Sequence, residues 1–126
     1  MHRTFTITCL LLLIGLSSHA TAQERVYWTI DGAEKIQRSE LDGTQVENLI
    51  SGLISPIGIA LDTDAGKMYL LDPRARKIQR ANLDGSDVED LVTGVGIDPR
   101  DLPPGVDNIE GRIALDVSGG KMYWTD

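Results

Sequence analysis

The sequence predicts an all-β protein built from repeated four-stranded units of the length found in β-propeller blades. Residues 35–50 match residues 77–92 at a spacing of 42, with 10 of 16 positions identical and no gap. Residues 59–69 match residues 113–123 at a spacing of 54. A period of roughly 40–45 residues with short strand-like segments is typical of propeller blades. We therefore expect about two and a quarter blades after an amino-terminal signal peptide.

The amino-terminal segment, 1–22, has the features of a secretory signal peptide. Arg3 supplies the positive start, Ile7–Leu16 is a short apolar run, and Ala20-Thr21-Ala22 fits the small-x-small cleavage pattern. The run is about half of the ~20 residues that a helix needs to cross a bilayer. We expect cleavage after Ala22, export to a secreted, periplasmic or extracellular location, and no membrane anchor.

The remaining part of the chain, 23–126, contains no histidine, cysteine or phenylalanine. Disulfide bonds, cysteine nucleophiles, Ser–His dyads and zinc sites with His or Cys ligands are therefore excluded within it. It carries 11 basic and 19 acidic side chains, a formal charge of −8. Such a balance argues against nucleic acid and anionic membranes as partners. No cofactor is expected.

The full repeat unit reads as four short strands joined by turns. The four predicted strands span 57–61, 67–72, 77–83 and 88–92. The first is almost entirely apolar, as expected for a strand that is buried on both faces. Pro73 ends the second strand, because proline cannot donate to a strand ladder. Asp84-Gly85 predicts a two-residue hairpin between the third and fourth strands.

The repeat region divides into four segments. They are a partial blade at 26–53, a full blade at 57–95, an inserted loop at 96–111 and a partial blade at 112–126. The inserted loop adds 12 residues relative to the first junction and is rich in proline, glycine and aspartate, so it reads as a surface loop. Insertions in repeat proteins often map to a binding face. The simpler interpretation is that the loop is tolerated, because lengthening a loop costs little free energy.

The aromatic side chains of 23–126 all fall in the second predicted strand of successive units. They are Tyr27, Trp28, Tyr69, Tyr123 and Trp124. Aromatics confined to one structural layer, beside other apolar strand residues, are expected to pack between units. The alternative is that they form a binding platform.

The carboxylates leave a metal-dependent propeller hydrolase or lactonase as the alternative function, because hard cations need only oxygen ligands. The aspartates nevertheless recur at equivalent turn positions, as the pairs Asp42 and Asp84, Asp62 and Asp116, and Asp72 and Asp126 show. Recurrence of this kind is typical of structural turn residues. We therefore predict no metal site and no catalytic residue.

Three submotifs in order connect the chain to a known family. They are Gly58-Ile59-Ala60-Leu61-Asp62, the decapeptide 77–86 (KIQRANLDGS), and Tyr123-Trp124-Thr125-Asp126 preceded by Gly119-Gly120-Lys121-Met122. Together they resemble the YWTD repeats of low-density lipoprotein receptors, also called class B repeats, over essentially all of 26–126. The resemblance implies blades of a six-bladed β-propeller that serves as an extracellular protein-binding module and scaffold.

The two earlier copies of the motif depart from the family pattern. The first is Tyr27-Trp28-Thr29-Ile30, with the aspartate displaced to Asp31, and the middle copy is Tyr69-Leu70-Leu71-Asp72. The structural repeat motif is thus assigned to Tyr27, Trp28, Tyr69, Asp72, Tyr123, Trp124, Thr125 and Asp126. Acid-triggered release through histidine, as in receptor members, cannot be carried over to a segment without histidine.

A six-bladed ring of this period needs about 250 residues, whereas 23–126 supplies 104. One hypothesis is that the chain is a truncated fragment of a propeller, which the sequence favours. The other is that copies assemble, with three copies closing a six-bladed ring.

The expected function is a non-catalytic, extracytoplasmic protein-binding or scaffold module, formed by an incomplete propeller, with an unknown protein ligand. The alternative of another class is that the segment is an incomplete scaffold piece that binds nothing by itself. No binding residue can be assigned from the sequence, because specificity in propellers lies in loops rather than in the repeated framework.

Overall fold

The computed structural model describes residues 24–105 and 110–125, which form three small antiparallel sheets and confirm the prediction of an all-β fold. The predicted signal peptide lies outside the described residues. Within the described part, no helix is long and apolar enough to cross a membrane.

The strands follow one another in sequence order within each sheet. The first sheet contains β1 (Arg25–Ile30), β2 (Lys35–Glu40) and β3 (Glu47–Ser51). The second contains β4 (Gly58–Asp62), β5 (Lys67–Asp72), β6 (Lys77–Asn82) and β7 (Glu89–Thr93). The third contains β8 (Arg112–Asp116) and β9 (Lys121–Thr125). Two short 3₁₀ turns, Asp31–Ala33 and Pro99–Asp101, lie in the connections.

The sequence repeat is also a repeat of strand register. Tyr27 in β1 lies opposite Arg38 in β2, and Tyr69 in β5 lies opposite Arg80 in β6. The pairing of β2 with β3 shifts after Ile36, and that of β6 with β7 shifts at the equivalent position. Residues 42 positions apart therefore occupy the same place in the first two sheets.

The two-residue hairpin predicted at Asp84-Gly85 is wrong. The turn is present, but β6 ends at Asn82 and β7 begins at Glu89, so that six residues connect them. The Asp84 carboxylate accepts hydrogen bonds from the backbone N–H (2.9 Å) and the hydroxyl (2.5 Å) of Ser86. These bonds stabilise a loop that is longer than a two-residue turn. Aspartate side chains in turns often accept hydrogen bonds from the backbone two residues further along.

A hydrophobic cluster fills the space between the first two sheets, which we call the first junction. Its buried residues are Ile36, Ile50, Leu53, Met68, Leu70 and Ala81. A second cluster lies between the second and third sheets, at the second junction, and includes Leu71, Ile78, Val95, Ile113 and Met122. Leu70 and Leu71 face opposite junctions because successive side chains of a strand point to opposite faces. The middle sheet thus has a hydrophobic cluster on each of its faces.

The two strands β4 and β8 approach each other closely at the second junction. A Cβ atom added to Gly58 would lie 3.2 Å from Cγ2 of Ile113 and 3.3 Å from Cβ of Leu71. A glycine inside a strand commonly marks such a close approach. In the third sheet the equivalent position holds Arg112, which is exposed.

Candidate functional site

The aspartate of the middle motif copy, Asp72, holds the segment that links the first two sheets. Its side chain is 1 % exposed. It accepts hydrogen bonds from the backbone N–H groups of Ile54 (2.8 Å), Ser55 (3.0 Å) and Ala75 (3.0 Å). A buried carboxylate that satisfies three backbone donors fixes both the linker and the turn after β5.

The displaced aspartate of the first copy contacts the same linker. Oδ1 of Asp31 accepts a hydrogen bond of 2.5 Å from the hydroxyl of Ser55. The linker is therefore held between an aspartate from the first sheet and Asp72 from the second. This contact explains how the first copy retains a role for aspartate although Ile30 stands in the motif position.

The motif residues do not converge on one site. Tyr27 packs against the first junction, and Tyr69 lines the second junction. Tyr123 is 57 % exposed, and the hydroxyl of Thr125 accepts a hydrogen bond from the backbone N–H of Arg112 at 3.1 Å. Asp126 lies outside the described residues.

The two tryptophans occupy equivalent positions in β1 and β9. Trp28 is partly buried and Trp124 is 39 % exposed. The aromatic layer therefore changes from half-buried in the first sheet to exposed in the third.

A repeated ladder of tyrosine, arginine and glutamate crosses the first two sheets. Arg38 pairs with Glu47 (Nη2 to Oε2, 2.8 Å), and Arg80 pairs with Glu89. Burial lowers the pKa of Arg38, but hydrogen bonds to Tyr27 and Glu47 outweigh this effect, so that the pKa is raised. Hydrogen bonds to Glu89 and then to Tyr69 raise the pKa of Arg80 in the same way. The arginines are thus fixed, permanently charged parts of the framework.

Arg38 also reaches across the first junction. Its Nη1 donates a hydrogen bond of 2.8 Å to the backbone carbonyl of Leu83, in the loop between β6 and β7. The side chain of Leu83 packs against the hydrophobic cluster, and its backbone N–H donates to the carbonyl of Gly66 at 3.0 Å. The loop between β6 and β7 is therefore bound to the first sheet by this hydrogen bond.

The glycine of this loop makes a second contact between the sheets. Gly85 has a φ of +85°, and a Cβ atom placed on it would overlap the backbone carbonyl of Leu49 in β3. Gly43, its counterpart in the first sheet, has a φ of +79° and would place its Cβ within 4 Å of no atom. The turn at Gly85 is therefore packed against the neighbouring sheet, whereas the Cβ position of Gly43 in the equivalent turn lies in open space.

A cleft of about 250 Å³ opens at the second junction. Tyr69, Leu115, Gly120 and Met122 are among the residues that line it. At the first junction Leu83 packs against the hydrophobic cluster, and its backbone N–H donates to the carbonyl of Gly66, the counterpart of Gly120. The cleft thus lies beside the counterpart of the glycine that Leu83 contacts at the first junction.

The aspartates of the turns are engaged in local hydrogen bonds. Bonds to Thr44 lower the pKa of Asp42, and bonds to Ser86 lower that of Asp84. In the third sheet the backbone N–H of Gly119, followed by the hydroxyl of Ser118, lowers the pKa of Asp116. Among residues 24–105 and 110–125, no group of three or more acidic, His or Cys side chains lies close enough to hold a metal ion.

The inserted loop is held to the second sheet by one ion pair at its start, and a second ion pair lies within the loop. Asp98 pairs with Arg76 (3.3 Å) and Arg100 (2.6 Å), and it accepts a hydrogen bond from the backbone N–H of Arg100 at 3.0 Å. The hydrogen bonds from Arg100 lower the pKa of Asp98. Ile97 lies beside this fixed point and is 47 % exposed.

Two features of the surface were missed in the sequence. Arg38 and Leu83 form a contact between sheets although they are 45 positions apart. The only signal in the sequence was that Arg38 recurs as Arg80 at the equivalent position of the repeat, which is typical of a structural residue. Ile54 is exposed on a linker whose backbone is fixed by Asp72. An alternating pattern cannot reveal an exposed isoleucine outside a strand.

The connections between strands lie at two opposite ends of the sheets, because the strands alternate in direction. The segments 31–34, 52–57, 73–76 and 94–105 lie at one end, which we call the linker end. The segments 41–46, 63–66, 83–88 and 117–120 lie at the other, which we call the turn end. Ile54 and Ile97 are at the linker end.

Comparison with known proteins identifies a similar solved structure. No family model matches the chain. The chain is similar to a chain in the crystal structure of a nidogen/laminin complex, with 29% sequence identity and a TM-score of 0.66. The match covers 83% of this chain and 36% of that chain, so that the protein spans little more than a third of the length of the similar chain. The likeness supports the fold of stacked antiparallel sheets.

Proposed function

We propose that the chain is a non-catalytic protein-binding and scaffold module of the YWTD propeller type that acts outside the cytoplasm. The observation that carries this proposal is the similarity to a chain in a complex between two proteins, nidogen and laminin. The YWTD resemblance adds the expectation of four-stranded blades in a six-bladed ring. The signal-peptide pattern of 1–22 supports export.

The chemistry of the described side chains favours recognition over catalysis. Asp72 is committed to three backbone donors, and the turn aspartates bind their own loops. The arginines of the ladder are paired with glutamates. These groups stabilise the framework, and their hydrogen bonds account for the recurrence of the same residues in successive sheets.

We place the binding surface at the linker end. Ile54 is 55 % exposed while its own backbone N–H is held by Asp72. Ile97 projects next to Asp98, which is fixed by two arginines. Exposed apolar side chains on a fixed backbone lose little conformational entropy on binding, so they are suited to contact an apolar patch on a protein partner.

Site-specific photo-crosslinking tests this proposal. A photoreactive residue is introduced at Ile54 or Ile97, with Val46 and Val117 at the turn end as matched exposed controls. Crosslinked proteins from the extracellular fraction of the native source are identified, purified and titrated by calorimetry. We expect a saturable partner that crosslinks from the linker end, and a double variant Ile54→Asp/Ile97→Asp that folds normally but loses it.

Two outcomes would contradict the proposal. One is that no purified candidate binds saturably to the wild-type protein. The other is that the double variant binds the same partner with unchanged affinity, which would remove the linker end from the interaction.

A further inference from the structure

A small pocket opens at the linker end, where the first and second sheets meet. Its volume is about 160 Å³. The linker contributes residues 52–54 to its lining, and the second sheet contributes Asp72, Ala75, Lys77 and Gln79. We call it the linker pocket. The exposed side chain of Ile54 therefore stands directly beside a concave, partly polar site.

The linker side of the pocket is fixed by backbone hydrogen bonds. The N–H of Ile54 donates to Asp72 at 2.8 Å, and the N–H of Leu53 donates to the carbonyl of Glu34 at 3.3 Å. Leu53 is buried, whereas Ile54 is 55 % exposed. A ligand thus meets a wall that is already ordered, so little conformational entropy is lost on binding.

One carboxylate orients both polar side chains on the other side of the pocket. Asp90 in β7 contacts Nζ of Lys77 through Oδ2 at 2.7 Å and accepts a hydrogen bond of 2.8 Å from Nε2 of Gln79 through Oδ1. The side chain of Lys77 is 38 % exposed. An ammonium group has three donors, so Lys77 can donate to Asp90 and to a bound acceptor at the same time.

The carboxylate that lines the pocket, Asp72, presents little charge to a ligand. It is 1 % exposed and accepts hydrogen bonds from three backbone N–H groups. The partly exposed polar groups of the lining are instead those of Lys77 and Gln79. The pocket therefore offers a cationic donor beside an amide.

Positive charge is concentrated next to the pocket, although residues 23–126 carry a formal charge of −8. Three of the five residues 73–77 are arginine or lysine. Arg100 adds a further cation whose side chain is 87 % exposed. The carboxylate between them, Asp98, is only 16 % exposed and is shared by Arg76 and Arg100. Accessible positive charge therefore exceeds accessible negative charge at this place.

The turn end has the opposite charge. Its four segments, 41–46, 63–66, 83–88 and 117–120, contain four aspartates and no lysine or arginine. A negatively charged ligand is thus attracted to the linker end and repelled from the turn end.

We propose that the linker pocket binds an acidic side chain of a protein partner, beside an apolar residue of that partner that packs on Ile54. Lys77 donates to the carboxylate, while its aliphatic stem and Ile54 contact the apolar residue. This inference rests on the proposed function, because it names the chemistry of the partner at the same surface. An acidic polypeptide fits better than a sulfated polysaccharide, because the polypeptide also supplies the apolar contact.

Selection from a library of short random peptides, with the wild-type protein as the target, tests which chemistry this surface binds. We expect the selected peptides to share an aspartate or glutamate next to leucine, isoleucine or valine. A synthetic peptide of this kind is titrated by calorimetry, and its affinity should fall as salt screens the charges. An analogue with glutamine in place of the acidic residue should bind about fivefold more weakly.

Two matched pairs of variants locate the binding. Lys77→Gln should weaken the acidic peptide by about fivefold and abolish its advantage over the glutamine analogue. Lys67→Gln is the control, since Lys67 is a partly buried lysine of β5 that donates to Asn82. Ile54→Ser should weaken both peptides, whereas Val88→Ser at the turn end should weaken neither. Urea unfolding confirms that each variant is folded, and the salt series on the wild type needs no variant.

The proposal would be overturned if no peptide is selected, if the selected peptides lack an acidic residue, or if the glutamine analogue binds as tightly. Equal effects of Lys77→Gln and Lys67→Gln would also overturn it, as would a heparin fragment that binds when no peptide does. Peptides that depend on Ile54 but not on charge would refute the acidic specificity and leave the proposed binding surface in place. Acidic peptides that bind at Lys77, without any protein that crosslinks from the linker end, would support the pocket and contradict the proposed function.

Discussion

The carboxylate of Asp72, at the end of β5, accepts a hydrogen bond of 2.8 Å from the backbone N–H of Ile54, which lies in the linker between the first and second sheets. Ser55 and Ala75 donate to the same carboxylate at 3.0 Å each. The aspartate at the end of the motif is therefore the residue that joins one sheet to the next. It acts through the backbone, so the linker sequence can vary while the connection is kept.

Replacement of Asp72 by alanine is predicted to be strongly destabilising. Three backbone N–H groups lose their acceptor, and each buried donor left without a partner costs about 1–3 kcal/mol. We expect the free energy of unfolding to fall by roughly 3 kcal/mol or more, measured by urea denaturation with tryptophan fluorescence. The control is Asp64→Ala in an exposed turn, with an expected change within about 0.5 kcal/mol. Equal effects of the two variants would refute this role of Asp72.

The two turn glycines form a matched pair for the contact between sheets. Gly43→Ala introduces only the strain of a positive φ, which costs about 1–2 kcal/mol. Gly85→Ala adds an overlap with the carbonyl of Leu49, and overpacking costs a further ~1–3 kcal/mol. The expected order of thermal stability is wild type, then Gly43→Ala, then Gly85→Ala. If both variants melt at the same temperature, Leu49 is not packed against Gly85.

A comparison of Arg38 with Arg80 distinguishes the stability contributed by an ion pair within a sheet from that contributed by a hydrogen bond between sheets. Arg38 and Arg80 both pair with a glutamate, but only Arg38 donates to the carbonyl of Leu83. Lysine keeps the charge and cannot supply the planar set of donors. Arg38→Lys is therefore expected to lose about 1 kcal/mol more than Arg80→Lys in urea unfolding. Similar losses for both variants would mean that the bond to Leu83 contributes no net stability.

The strands could be predicted because their pattern is repeated, whereas the contacts between sheets could not. Residues 67–72 read as a strand in the sequence and form β5. By contrast, Leu41 and Leu83 begin the same tripeptide, Leu-Asp-Gly, yet one is exposed and the other packs against the neighbouring sheet. The difference depends on what lies beside each sheet in three dimensions. Sequence identity between repeats therefore predicts the position of a side chain within its sheet and leaves its burial undetermined.

The hairpin error has a related cause. Asp84-Gly85 is a strong signal for a short turn, but Asn82 donates side-chain hydrogen bonds to the hydroxyl of Ser86 (2.9 Å) and to Asp87 (2.7 Å). These bonds stabilise a wider loop that also allows Leu83 to reach the first sheet. The loop therefore contains hydrogen bonds of Asn82 as well as those of Asp84 in the dipeptide.

Acid is predicted to destabilise the fold through the turn carboxylates. The pKa values of Asp42 and Asp84 are lowered by hydrogen bonds to Thr44 and Ser86, and that of Asp98 is lowered by those from Arg100. A carboxyl group whose pKa is lower in the folded state stabilises that state above its ordinary pKa of 3.8. This stabilisation is lost as the pH falls from that value through the lowered pKa.

We expect the free energy of unfolding to be nearly constant from pH ~7 to pH ~5 and to decline below pH ~4, as measured by urea titrations at each pH. Asp84→Asn should be less stable than the wild type at neutral pH and should show a shallower decline in acid, because asparagine cannot be protonated in this range. Asp64→Asn is the matched control, since Asp64 is an exposed aspartate of the neighbouring turn at the same end. Parallel pH profiles for the wild type and Asp84→Asn would show that the hydrogen bonds of Asp84 do not stabilise the folded state.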